Sequence, residues 1–365
     1  MNLKTFKWII WKRINKFYEI DTLRRSRRKF ASEDLKRKDD VRKCLNYDEW
    51  KEVVDFWKPY YNVSKEKKWY EFYHGIDDSV SNLKYYIPDS IYYMYVDLFF
   101  SHARKAMVVD DKNLYDLFFY DVRMPNTILR KNDGVYLNKS YDVISEEQAI
   151  QMVKVNNVVI SKQPTLSEGG HGVLFWDFQK DSLDHFYEWL HDNPNTIIQE
   201  VVRQHQSLSA IHKDSINTIR IMTIIMNNTV RIVSSVLRMG VNGSKVDNAS
   251  SGGLVCGINA DGSLKGRAFD TKGKVYYSHP QSGKLTGIEI PGFHKCCDLA
   301  RRLAPRFVGV SRLVSWDFSV GEDTCPILIE VNLGYGQIDF HQMCNGPIFG
   351  EYTEEVLKLV FGRNE

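Results

Sequence analysis

The chain has 365 residues, 43% hydrophobic and 26% charged, an ordinary globular composition long enough for a large core and more than one lobe. Its net charge of +3 is unevenly divided: residues 1–40 hold 13 Lys and Arg against 6 Asp and Glu, while the remainder hold 36 against 40. No run of about 18 apolar residues exists, so nothing spans a bilayer as a helix. Lys12, Arg13 and Lys16 interrupt any apolar core that a secretory leader would need. The six cysteines lack framework spacing and suit a reducing cytoplasm.

In residues 1–30, Phe6, Ile9, Ile10, Ile14 and Phe17 recur at helical spacing with lysines between them. Such a basic amphipathic helix can rest on an anionic membrane surface, or pack on the rest of the protein with its charges solvated. The run Arg24–Lys29 strengthens docking to lipid; nucleic-acid binding has no other support and is not expected. Residues 33–105 read as a largely helical accessory region rich in Tyr and Trp.

Further on, Asp110–Phe119 reads as a helix and Met124–Leu129 as a short strand. Ser145 caps a helix in which Gln148 completes a capping box. The strand Val158–Lys162 runs into a Gly-rich stretch, residues 163–172. Glycines there let backbone N–H groups approach phosphate oxygens, and Lys162 offers a point charge. The loop is neither a Walker loop nor a dinucleotide fingerprint, and alone it is a weak signal. A helix over Leu183–Asp192 precedes a strand over Thr196–Val202. The strands Asn217–Ile225 and Val230–Met239 are then joined at Asn227 and Asn228 in a hairpin. Arg220 and Arg238 sit in these apolar strands, where a guanidinium is costly without a partner. That partner is either a bound polyphosphate or carboxylate, or a core Asp or Glu.

Asp247–Gly253 makes a second loop of small residues, residues 266–290 read as a mobile loop, and Gly292–Pro305 as a helix. His294, Cys296, Cys297, His341 and Cys344 lack the spacing of a zinc site, which is not expected. The closing hairpin carries the strongest signal. Its strands, Leu313–Val320 and Pro326–Asn332, flank the turn Gly321–Cys325. Alternation points Glu330 and Asn332 the same way and brings Asp317 opposite Glu330. Three oxygen donors then converge, as a hard cation such as Mg²⁺ shared with substrate phosphates requires. A solvent-facing polar sheet face is the alternative, and Trp316, Phe318, Ile329 and Val331, which mark both strands as buried, weigh against it.

Taken together, Lys162 before the Gly-rich loop, Gln199 to Val202, Asn217-Thr-Ile-Arg220, Asp247-Asn-x-x-Ser-Gly-Gly253, Trp316-Asp-Phe318 and Glu330-Val-Asn332 resemble the ATP-grasp superfamily. Within it they resemble the sugar-transfer-associated branch, found with genes of surface-polysaccharide synthesis. The resemblance covers about residues 100–360. It implies an α+β fold in which two lobes clasp ATP. The expected boundaries are a helical accessory region over residues 1–95, an N-terminal lobe over 96–202 and a C-terminal lobe with the metal site over 203–365. It implies that Lys112 and Lys162 touch the phosphates, with Ser167, Gly169 and Gly170 folding over them. In that loop His171 stands where a Lys or Gln is commoner, which leaves its phosphate contact open. Gln199, Glu200, Val201 and Val202 would form the hinge that reads adenine, and Asp317, Glu330 and Asn332 would hold one or two Mg²⁺. Arg220, Arg238 and Asn248 would steady the transferring phosphate.

The implied activity is a cytoplasmic carboxylate–amine ligase that forms an amide through an acyl phosphate. Its substrates would be a small carboxylate and an amine, such as a sugar acid and an amino acid, with a sugar-nucleotide or glycan-linked acceptor. Two other readings stay open. One is a phosphotransferase on the same fold, and the other a membrane-surface scaffold that binds nucleotide without turnover. Fold analogy does not fix which holds.

Overall fold

The computed structural model describes residues 3–76, 80–165 and 172–362. The loop residues Ser167, Gly169, Gly170 and His171 lie outside the described residues, as do the side chains expected to line one face of the helix before Ile20. Contacts divide the chain into two compact units. One comprises Met1–Ser101, Thr271–Lys274 and Gln337–Glu365; the other His102–Asp270 and Val275–Gly336. Residues 337–365, expected in the C-terminal lobe, therefore group with the N-terminal helices.

The first unit is helical, built on Leu3–Lys36, Tyr47–Trp57, Lys67–Ile76, Ile338–Asn345 and Thr353–Phe361. Asn46 and Glu49 close a capping box at the start of its second helix. The interior is aromatic, with Trp57, Trp69, Tyr70, Tyr73, Tyr86, Tyr92 and Tyr93 all buried. It is also unusually polar. The buried Lys38 ammonium pairs with Asp34, and it donates at 3.1 Å to Asp339 and at 3.1 Å to the Thr271 carbonyl. Asp89 completes a buried trio of carboxylates and accepts from the Tyr73 hydroxyl at 3.0 Å. Burial, then the charges of Asp339 and Asp34, push the Asp89 carboxyl well above its ordinary range. Arg24 and Arg27, expected to face lipid, instead donate to the Met94 and Tyr93 carbonyls, and Arg27 also pairs with buried Asp97. Arg25, Arg28 and Lys29 remain exposed. No helix among the described residues is long and apolar enough to cross a membrane.

The second unit contains two antiparallel sheets. In the first, β1 (Thr127–Asn132), β2 (Val135–Leu137), β3 (Val158–Lys162), β4 (Leu174–Asp177) and β5 (Thr196–Glu200) lie in the order β2-β1-β5-β3-β4. Leu129, Val159, Trp176 and Ile198 pack against Ala149, Val153, Phe186 and Leu190 of the helices Glu146–Lys154 and Leu183–Asp192. Ser145 and Gln148 form the expected capping box. Strand β1 begins at Thr127 rather than Met124, because Pro125 cannot donate to the ladder.

The second sheet uses β6 (Thr218–Met226), β7 (Thr229–Met239), β8 (Leu254–Ile258), β9 (Leu264–Phe269) and β10 (Val275–Tyr276). Beside it runs a ribbon of β11 (Ser278–His279) and β12 (Gly283–Lys284). Strands β13 (Leu313–Val320) and β14 (Pro326–Asn332) close the sheet, in the order β10-β9-β8-β7-β6-β13-β14. The stretch expected as a mobile loop, residues 266–290, instead holds the end of β9 and the short strands β10, β11 and β12, with His279 and Leu285 buried. Asn227 and Asn228 turn the β6–β7 hairpin with φ of 47° and 58°, values that asparagine tolerates better than most residues. One face of the sheet packs Ile219, Ile221, Leu237, Cys256, Trp316 and Phe318 against Phe293, Cys296, Ala300 and Leu303 of the helix Phe293–Leu303. There the Trp316 indole donates to the Thr223 hydroxyl at 2.9 Å, so the largest core side chain leaves no orphaned donor.

The Lys38 cluster makes a stability prediction. Lys38→Met leaves Asp339 buried without its cation and Asp34 with Arg37 alone, and should cost about 3–5 kcal/mol in urea unfolding at neutral pH. The deficit should narrow as the pH falls toward about 4, because protonation then removes the unpaired charges.

Candidate functional site

The opposite face of the seven-stranded sheet carries a polar row. Register pairs Arg220 of β6 with Asp317 of β13, and Asp317 with Glu330 of β14, as the alternation of the hairpin predicts. Ser315 faces Asn332, and Thr218 faces Arg238 of β7. The row depends on an irregularity that the alternation did not foresee. After the Asp317–Glu330 pair the next partners are Phe318 and Leu328, so Ile329 is an extra residue in β14. The bulge lets Leu328 enter the core while Glu330, two residues on, faces the site. Ile329 is accordingly half-buried, not the core residue expected.

Asp317 lies at the centre, buried to 2% exposure. Its two oxygens accept from Arg220 Nε at 2.7 Å and Nη2 at 2.7 Å, a bidentate pair, and Oδ2 also accepts from Arg238 Nη1 at 3.2 Å. Burial works against the Arg220 charge, yet the Asp317 carboxylate holds the guanidinium protonated above its ordinary range. Both arginines thus have the core carboxylate that the sequence left as one of two possible partners. Arg238 Nη2 lies 3.6 Å from Asp247 Oδ1. Asn248 follows, half-buried, and its carbonyl accepts from Ser251 and Gly253 N–H groups. A Cβ at Gly253 would lie 2.5 Å from the Asp247 carbonyl oxygen, so only glycine closes this loop.

A second group comes from the segment before the first sheet. The expected helix Asp110–Phe119 is broken: one helix ends at Val109, Lys112–Leu114 form a 3-10 turn, and Tyr115–Phe118 a single helical turn. Asp111 accepts from the Asn113 N–H and starts that turn, which places Lys112 Nζ 2.7 Å from Glu330 Oε1. The Lys112 N–H donates to the Pro164 carbonyl at 3.0 Å, just past β3, whose last residue is Lys162. Burial and the nearby Lys112 charge lower Lys162 to about 8. Two members of the site were missed from sequence. Asp110 is raised to about 6 by burial and by Glu330, and the Tyr115 hydroxyl accepts from the Val331 N–H at 3.2 Å. The pair Asp110-Asp111 before Lys112 was the available signal.

The hinge residues divide by role. Strand β5 ends at Glu200, two residues short of the expected Val202. The Gln199 amide is turned onto β1, donating at 3.4 Å to the Pro125 carbonyl and the Thr127 hydroxyl. Glu200 accepts from Asn126 at 2.9 Å. Among the described residues, no hydrogen bond engages the backbone N–H or C=O groups of Val201 and Val202. Gln204 then anchors the crossing to β6 through the His212 and Ser215 carbonyls and the Asn217 N–H.

Hard oxygen donors suited to Mg²⁺ are present at the end of β14. Asn332 has a buried amide nitrogen with no hydrogen-bond partner among the described residues, so its amide can turn its oxygen toward a cation. Among the described residues, Glu330 is hydrogen-bonded through Oε1 alone, to Lys112. Asp317 fits less well, since a cation would have to displace a guanidinium from it.

The lowered Lys162 gives a pH prediction. Because the folded chain releases this proton more readily than the unfolded chain, the Lys162 contribution to stability rises between about pH 8 and pH 10.5. NMR titration of ¹³C-methylated lysines should show a resonance with a midpoint near 8, lost in Lys162→Gln.

The sequence model of the family described as sugar-transfer associated ATP-grasp matches residues 95–358. No curated protein matches the chain. Among solved structures, D-alanyl-alanine synthetase A from Vibrio cholerae aligns with 13% identity and a TM-score of 0.41, over 68% of this chain and 63% of that one. Carboxyaminoimidazole ribonucleotide synthase from Aspergillus clavatus, complexed with ATP, aligns with 11% identity and a TM-score of 0.39, over 62% and 46%. The biotin carboxylase domain of 2-oxoglutarate carboxylase from Hydrogenobacter thermophilus aligns with 11% identity and a TM-score of 0.45, over 73% and 48%. The chain therefore spans less than two thirds of each of these proteins. With the family matched over most of its length and two α+β sheets in its second unit, this chain belongs to the sugar-transfer associated ATP-grasp family.

Proposed function

We propose that the chain is an ATP-dependent carboxylate–amine ligase that joins an amine, such as an amino acid, to a sugar acid during surface-polysaccharide synthesis. The observation that carries the reading is the convergence of Lys112, Arg220 and Arg238 on the carboxylates Asp317 and Glu330, with Lys162 beside Lys112. Clustered cations above hard oxygen donors suit a polyphosphate whose charge shifts during transfer. The unpaired backbone of Val201 and Val202 offers a donor and an acceptor, the pair an adenine edge needs.

In this reading Lys112 and Lys162 bind the phosphates, and Ser167, Gly169 and Gly170 cover them. Glu330 and Asn332 would hold Mg²⁺, with Asp317 beside them. A bound Mg²⁺ supplies neutralisation of phosphate charge. A substrate carboxylate oxygen attacks the γ-phosphorus of ATP, the bond from that phosphorus to the β–γ bridging oxygen breaks, and ADP leaves. The amine then attacks the acyl carbon, phosphate departs with the C–O electron pair, and the amine proton passes to solvent. Arg220 and Arg238, with Asn248, steady the transferring phosphoryl oxygens. Lys112 is paired with Glu330, so if Glu330 held a cation, Lys112 would be available to phosphate.

The test is ADP release from Mg-ATP with pooled sugar acids and hydroxylamine as a generic amine. Hydroxamate formed together with ADP is the expected result. A phosphorylated acceptor with ADP and no hydroxamate would replace the ligase with a phosphotransferase. In the productive assay Glu330→Gln should lower turnover by about a hundredfold or more; a rate within twofold of the parent would remove Glu330 from the site.

A further inference from the structure

Arg238 is gripped at two points. One amino nitrogen reaches Asp317 Oδ2 at 3.2 Å, and the other lies 3.6 Å from Asp247 Oδ1. Asp247 is itself fixed. Its Oδ2 accepts from the Thr218 N–H at 3.1 Å and from the Thr218 hydroxyl, and Thr218 is the register partner of Arg238. All four charged groups, Asp247, Arg238, Asp317 and Arg220, are at least nine-tenths buried. Without Asp247, two guanidiniums would share the single Asp317 carboxylate, and the excess positive charge would drive one of them away. With it the signs alternate along the row, and Arg238 stays beside Arg220 with its plane set from both ends.

We infer that Asp247 is a positioning residue that holds the Arg238 guanidinium in register with Arg220, so that both address one phosphoryl group. The inference rests on the ATP-dependent reading above. It gives Asp247, the first residue of the small-residue loop, a role that its neighbour Asn248 does not share. The role is electrostatic: the carboxylate charge matters, beyond the hydrogen bonds that tie the loop to β6. Asparagine separates the two, because Asp247→Asn keeps an oxygen acceptor for Thr218 and removes the charge facing Arg238. Thr218→Val does the converse, deleting the hydroxyl bond and keeping the charge.

The experiment uses the full chain and measures the affinity for Mg-ADP by calorimetry, with and without aluminium fluoride as a mimic of the transferring phosphoryl group. In the parent, the fluoride complex should tighten Mg-ADP binding. Asp247→Asn should lose about tenfold of that tightening, a typical size for coupling between two ligands, while its affinity for Mg-ADP alone stays within twofold. Thr218→Val should lower the unfolding temperature and keep the tightening. The inference is overturned if Asp247→Asn keeps the full effect of fluoride. It is equally overturned if Asp247→Asn loses Mg-ADP affinity in step with its unfolding temperature, as a loop-holding residue would. A parent chain that binds Mg-ADP and gains nothing from fluoride also overturns it. A parent chain that binds no Mg-ADP removes the nucleotide reading itself, and this inference with it.

Discussion

Asp317 is one carboxylate gripped by two guanidiniums in the middle of a buried sheet, and much of the second unit is arranged to make that tolerable. An arginine in the interior loses most of its hydration, so Arg220 can occupy β6 only because β13 delivers both Asp317 oxygens to it in a fork. The same geometry sets the identity of the neighbours. The core face of β13 carries Trp316 and Phe318, which hold the strand against β6 from behind, while the Trp316 indole is satisfied by Thr223. A slip of one residue between β6 and β13 would turn Asp317 into the apolar core and leave Arg220 without a partner. Register in this sheet is therefore set from both faces at once.

The charges of the site are largely balanced among its own side chains. Three of its cations have a resident anion: Lys112 has Glu330, and Arg220 and Arg238 have Asp317. The pairs hold opposite charges at fixed places along the sheet face.

The closing hairpin was legible because its alternation, its turn and its three oxygen donors lie within 20 residues of chain. The capping box at Ser145 and the asparagine hairpin at Asn227 and Asn228 were equally local. What escaped was long-range or irregular. The bulge at Ile329 has no composition signal, since an extra isoleucine in an apolar strand looks like any other. Asp110 and Tyr115 join the site only through contacts with a strand more than 200 residues away. The paired stretch from β10 to β12 consists of two-residue strands, too short for any periodicity to register. The partners of Lys38 include Asp339, 301 residues further along, and a lysine just past a basic helix reads as a surface residue until that carboxylate is found.

That last partnership bears on the order in which the chain can be built. The helical unit draws on three separate stretches, the last of them Gln337–Glu365. On a ribosome Lys38 emerges 301 residues ahead of Asp339, so Lys38 and Asp34 wait that long for their third partner. The unit with both sheets needs nothing beyond Gly336. The early helices of the helical unit, rich in tyrosine and tryptophan, are thus made well before the stretch from Gln337 that completes their core.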